Sequence, residues 1–112
     1  MIEGANRERL VELIGRLEKT DDSQWCVDVC RTKGGDRNCV MGHVFAMGGE
    51  DRKLSNQWWN WFEDFVATTY MIYPVNDGEH PGYKQDTPKA RILSYLNDVL
   101  EGKRKTTWEL DN

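Results

Sequence analysis

The stretch 55–73, SNQWWNWFEDFVATTYMIY, limits what this chain can fold into more than any other. It holds three of the five tryptophans, two of the three phenylalanines and two of the four tyrosines, and contains neither proline nor glycine. On a 3.6-residue repeat Trp58, Trp61, Phe62, Phe65, Val66, Thr69 and Ile72 fall on one broad face, with Asn60, Glu63, Asp64 and Ala67 opposite. Ser55 is the predicted N-cap, because its hydroxyl can take a free amide of the first turn, and Pro74 is the predicted stop. Trp59 and Tyr70 sit at the edge of the apolar arc. An arc this wide predicts a central helix covered by its neighbours on most sides.

A chain of 112 residues is long enough for one modest core, which predicts a single helical domain over 1–112. With 30% charged and 38% hydrophobic residues it has the composition of a globular protein rather than a disordered one. A formal charge of −4 leaves no basic face to displace counterions from phosphates, so no nucleic-acid partner is expected. The longest apolar run, 65–73, contains two threonines and is far too short for a membrane span. The opening MIEGANRERL is not an apolar targeting segment, which predicts a cytoplasmic protein. Three cysteines, an odd number, read as reduced thiols or metal ligands rather than a disulfide framework.

Residues 6–19 carry Leu10, Leu13, Ile14 and Leu17 at helical spacing, with Asn6 as cap and the run 20–23 as the break. Residues 24–32 are ambiguous, since Trp25, Val27 and Val29 alternate as on a half-buried strand; a short irregular or β-like segment is expected near 25–31. A turn at 33–36 lacks the glycine spacing and following Lys-Ser/Thr pair of a phosphate loop. Asn38 is the predicted cap of a short helix 38–47, which has Cys39, Val40, His43, Val44 and Met47 inward and Gly48-Gly49 as its stop. After the aromatic stretch, Asn76-Asp77-Gly78 reads as a turn whose side chains hold their own backbone and the start of the last helix, the alternative being a polar site beside His80. Thr87-Pro88 starts the last helix, whose stripe is Ala90, Leu93, Leu96, Val99 and Leu100 with Ile92 beside it. The basic run 103–105 is expected in solvent, with Trp108 and Leu110 able to fold back on the core. The fold class predicted is all-α, a small bundle of about four helices.

The sharpest chemical constellation is Cys26-x3-Cys30-x8-Cys39-x3-His43, which places four residues of zinc-ligand type within eighteen positions. The first spacing is one residue longer than the usual pair, and on a strand Cys26 and Cys30 would lie about 13 Å apart, so zinc requires a turn there. The plainer reading, three small buried thiols and a hydrogen-bonded histidine with no cofactor, is preferred; a zinc-stabilised interaction module is the second. Cys39 and His43, four apart on one helix, also allow a thiolate–imidazole pair. No oxyanion site or orienting group accompanies them, which leaves a small cysteine-dependent enzyme as the third reading.

Trp25, the run 35–43 (GDRNCVMGH), Asn76-Asp77 and the Thr87-led helix together resemble a small helical domain family of bacteriophages and actinobacteria. In that family a tryptophan precedes a Gly-Arg-x-Cys-x-x-Gly-Ala segment, and an Asn-Asp turn leads to a Thr-capped final helix. The resemblance covers 25–100; here Asp36 separates glycine from arginine and His43 replaces the alanine. It implies a helical fold and a phage or mobile-element origin, and no activity. The function expected is therefore that of a non-enzymatic phage-type accessory protein, one that binds and modulates a host protein such as a CRISPR effector of a defence system. Its predicted partner surface is the row Trp59, Glu63 and Tyr70, joined by His80 and Tyr83 from the polar loop 79–86. In the alternative, Trp59 is simply packed under that loop.

Overall fold

The computed structural model describes residues 1–111 and is mostly helical, as the predicted class requires. Among the described residues there are six α-helices: α1 (Gly4–Glu18), α2 (Val40–Ala46), α3 (Arg52–Phe65), α4 (Thr69–Asp77), α5 (Pro88–Leu100) and α6 (Thr107–Asp111). Two events take the count past four. The aromatic stretch divides into α3 and α4, and the tail forms α6.

The division has a local and a distant cause. Thr68 is a better cap than helix residue, and its Oγ1 accepts the Met71 N–H at 3.2 Å, starting α4. The Val66 carbonyl, freed from helical bonding, accepts the Thr107 N–H at 3.0 Å and seats α6. The bend lets Val66, Ala67, Ile72 and Val75 all be fully buried, including Ala67, which a straight helix would have turned outward. Ser55 is not the cap. Asp51 fills that place, accepting the Lys53 and Leu54 N–H groups at 3.0 and 3.2 Å. Ser55 is buried against Gly48, where a Cβ would stand 2.2 Å from the Ser55 nitrogen, and its hydroxyl has no hydrogen-bond partner among the described residues.

Pro74 does not stop the helix either. It lies inside α4, where it removes only the bond to the Tyr70 carbonyl, at an end open to water. The stop is Gly78 at φ +82, with the Glu79 N–H returning to the Pro74 carbonyl at 2.8 Å.

α1 lies along α5 and buries Leu10, Leu13, Ile14 and Leu17, the predicted stripe. Asn6 caps nothing; its Oδ1 accepts the Trp61 indole N–H at 3.0 Å and ties α1 to α3. α5 begins as predicted, with Thr87 Oγ1 accepting the Ala90 N–H at 3.2 Å and Pro88 in the first turn. Its buried face is rotated from the predicted stripe toward Arg91, Ile92, Tyr95, Leu96 and Val99. Arg91 gives its guanidinium to the carbonyls of Val75, Asn76 and Gln85 at 3.0, 2.8 and 2.8 Å, closing the C-terminal end of α4.

Residues 25–31 are irregular. Only isolated bridges join Trp25 and Arg31 to Asn38, one parallel and one antiparallel. Trp25 is 3% exposed, whereas Val27 and Val29 are 40% and 51% exposed, so the alternation does not describe this segment. Trp25 instead packs on the His43 ring, centroids 4.3 Å apart, and donates to Thr20 Oγ1 at 2.8 Å. The basic run is not all solvated: Arg104 Nε donates to the Tyr83 hydroxyl at 2.8 Å, and its guanidinium lies over the Tyr83 and Tyr95 rings.

Candidate functional site

The irregular segment is held in place by a side chain far along the sequence. Asn76 is fully buried at the end of α4, where its Oδ1 accepts the Val40 N–H at 2.9 Å and its Nδ2 donates to the Cys26 carbonyl at 3.0 Å. The cap of α2 is thus supplied by α4, not by Asn38. Asp77 Oδ1 accepts from Asn76 Nδ2 and from the Asp28 N–H, both at 3.0 Å; Asp28 takes a left-handed φ of +65. Asn76 and Asp77 are therefore not a self-bonded turn, since they fix the loop and the first turn of α2.

That fixation brings the cysteines into two settings. Cys30 and Cys39 face one another across the Arg31–Asn38 bridge, and the Cys39 N–H bonds the Cys30 carbonyl at 2.9 Å. Gly42 lets this happen, because a Cβ there would stand 2.6 Å from the Cys30 carbonyl. The Cys39 thiol and the Tyr73 hydroxyl both neighbour the Cys30 sulfur and stabilise its thiolate. The first contact, assisted by the second and by the Arg31 charge, brings the Cys30 thiol down to about 7 against the opposing effect of burial. Cys39, which neighbours that thiolate and is buried, is pushed strongly upward. Burial and the neighbouring thiols push the Tyr73 hydroxyl up. Cys26 is engaged differently, its Sγ donating to the Val29 carbonyl at 3.3 Å; burial, and then the nearby Cys30, raise its thiol.

His43 belongs elsewhere. Its Nε2 lies 3.1 Å from the Gln24 carbonyl, beneath a polar cleft of about 630 Å³ that also takes in Arg16, Asp36 and Arg37. A carbonyl only accepts, so Nε2 carries the proton. Burial lowers the His43 pKa. The predicted zinc set Cys26, Cys30, Cys39 and His43 does not converge, since His43 is turned to the Gln24 carbonyl, and no group of three His, Cys, Asp or Glu side chains that could hold a metal ion occurs among the described residues. The predicted Cys39–His43 pair is likewise divided, as each side chain is engaged with a different partner.

The predicted partner surface is also divided. Trp59 is half-buried, donates from Nε1 to Glu63 Oε1 at 2.5 Å and meets Phe45 edge-on at 6.4 Å and 80°. Trp59 and Phe45 line a groove of about 500 Å³ together with the small residues Gly42, Ala46, Gly49 and Cys30 and the polar Arg31 and Asn38. Tyr70 is 90% exposed but sits beyond the bend, in the first turn of α4. The loop carrying His80 and Tyr83 packs on α5 rather than over Trp59. Tyr83 is 3% exposed, donates to Asp98 Oδ2 at 2.7 Å and meets Tyr95 edge-on. His80 is turned onto Tyr83, rings 5.1 Å apart, and its Nδ1 accepts the Gly82 N–H at 2.9 Å. Phe45 and Tyr73 are the side chains that sequence reasoning missed. Phe45 gives a faint signal, a large apolar residue off the stripe of a short helix; Tyr73 gives none.

No family model, curated protein or solved structure matches this chain. Among the described residues no helix is long and apolar enough to cross a membrane.

Proposed function

We propose that this chain acts by binding another protein, through the Phe45–Trp59 groove. The observation that supports the reading is a pair of half-buried aromatic rings set edge-on in an open groove that small residues also line. Such a groove offers a partner side chain apolar walls to fill, and the rings already held by neighbours lose little freedom on binding. Glu63 belongs to the site because it fixes the Trp59 indole. Tyr70 is a second exposed aromatic beyond the bend, while Tyr83 and His80 serve the packing of their own loop on α5.

The resemblance to the phage and actinobacterial domain family supports a narrower reading, a non-enzymatic phage-type accessory protein of the cytoplasm that modulates a host protein. A CRISPR effector of a host defence system is the partner class to test first. The decisive experiment immobilises the purified chain, captures partners from bacterial lysate and repeats the capture with Phe45→Ala and Trp59→Ala. Loss of one captured protein in both variants, with melting little changed, supports the groove; equal capture by all three removes it. Direct titration of the chain into a target-cleavage assay of a purified CRISPR effector then tests the narrower reading.

A further inference from the structure

We propose that Cys30 and Cys39 form a reversible disulfide, with hydrogen peroxide as the oxidant, and that this pair is the redox-modified site of the chain. The inference stands whether or not the groove takes a partner.

The geometry begins with register. Arg31 and Asn38 pair in the antiparallel sense, flanked by Thr32 N–H to the Arg37 carbonyl at 3.0 Å and Cys39 N–H to the Cys30 carbonyl at 2.9 Å. Cys30 and Cys39 are therefore directly opposed, and opposed residues of an antiparallel pair project to the same side. In such a pair the Cα atoms stand about 5.5 Å apart, within the span that a disulfide bridges without moving the backbone. The two thiols are close enough to act on one another electrostatically. The segment cannot drift from this register, because the Cys30 carbonyl is pressed onto Gly42 and the turn between the cysteines closes at Gly35 with φ +73.

Access favours the same pair. Cys30 is exposed, and both sulfur-bearing residues line one small cavity of about 290 Å³ with Asp28, Val29, Tyr73 and Asp77. The oxidant reaches Cys30 first. Its thiolate attacks one peroxide oxygen, the O–O bond breaks, and the departing hydroxide takes a proton to become water, leaving Cys30 as the sulfenic acid. The Cys39 sulfur then attacks the Cys30 sulfur; the S–O bond breaks, the S–S bond forms, and the leaving hydroxide combines with the Cys39 proton as a second water. Two thiols have given up two electrons, and one peroxide has become two waters. Cys30, the exposed half of this disulfide, is open to attack by a reducing thiol, and exchange returns both groups to the starting state.

Cys26 is the competitor. Its thiol is engaged with the Val29 carbonyl and it does not share the bridge, so it remains reduced.

The test treats the reduced 112-residue chain with hydrogen peroxide, alkylates the remaining thiols and maps peptides by mass spectrometry. The expected product is a single Cys30–Cys39 bond with Cys26 alkylated, reversed by dithiothreitol and formed equally by Cys26→Ser. In Cys39→Ala, oxidation should halt at a Cys30 sulfenic acid that dimedone traps. If that variant fails to fold, Cys30→Ser, altered at an exposed position, should leave both remaining thiols alkylatable with no intramolecular bond. A Cys26–Cys30 bond, a chain-to-chain disulfide, Cys30 sulfinic acid without a disulfide, or a wild-type chain that keeps all three thiols would each overturn the proposal.

Discussion

Asn76 Oδ1 accepts the backbone N–H of Val40 at 2.9 Å, so α2 starts on a cap borrowed from the end of α4. Replacing Asn76 leaves a buried N–H of the first turn unpaired and also frees the Cys26 carbonyl. Asn76→Ala should therefore destabilise the fold by about 2–3 kcal/mol, measured as a shift in denaturant midpoint. A loss too small to resolve would mean that water substitutes for both bonds.

The caps of α3 and α5 give a paired comparison. Asp51→Ala and Thr87→Ala should each lower stability by about 1 kcal/mol, because each removes an acceptor from first-turn amides. Ser55→Ala should cause no loss, or a slight gain, since it deletes a buried hydroxyl without a partner among the described residues. The reverse order in equilibrium unfolding would place the start of α3 at Ser55.

Cys30 should be the thiol that reacts earliest as pH rises. Its thiolate is stabilised first by Cys39 and then by Tyr73, so iodoacetamide trapping at Cys30 should be half-maximal at about pH 7. An ordinary thiol gives about 8.5. Tyr73→Phe removes the neighbouring hydroxyl and should shift the Cys30 midpoint upward. Peptide-resolved alkylation reads it, and an unmoved midpoint would show that the hydroxyl does not support the thiolate.

His43 should make the fold acid-sensitive. Burial holds its pKa below the ordinary value, while in the unfolded chain it titrates near about 6.5. Below that pH the unfolded state takes up a proton that the folded state resists, so the stabilisation is complete above it and declines as pH falls. Melting followed from pH 7 to about 5 should show the decline, and His43→Gln, which keeps a donor for the Gln24 carbonyl, should flatten it. A parallel profile for the two proteins would assign the decline to other groups.

Sequence reading reached the parts of this fold whose causes are local. The α1 stripe and the Thr87-Pro88 start of α5 are set by residues within a turn or two of one another, and they stand where expected. The aromatic stretch was read as one helix because its apolar spacing runs straight through 66–68. What bends it is a Thr68 cap together with a carbonyl taken by Thr107, and the second partner lies in the distant tail. The cysteine settings were hidden for a related reason. Spacing along 26–43 says nothing of a register created by Gly42, Asn38 and Asn76, so a four-ligand cluster and a facing pair of thiols look alike in sequence. Tyr83 resembled an interface residue because it sits in a polar loop; its burial follows from partners at Asp98, Tyr95 and Arg104.

Arg91, holding two carbonyls at the end of α4 and that of Gln85 in the following loop, has a reach that goes beyond closing a helix. Asn76, whose carbonyl it holds, and the neighbouring Asp77 anchor Cys26, Asp28 and Val40, partners 36 to 50 positions away. The irregular loop therefore has no independent existence as a folding unit. Its opening is expected to follow release of the end of α4. Amide protons of Asp28 and Val40, donated to adjacent side chains of one helix end, should accordingly exchange with solvent in a single opening event, and Arg91→Met should hasten both by the same factor.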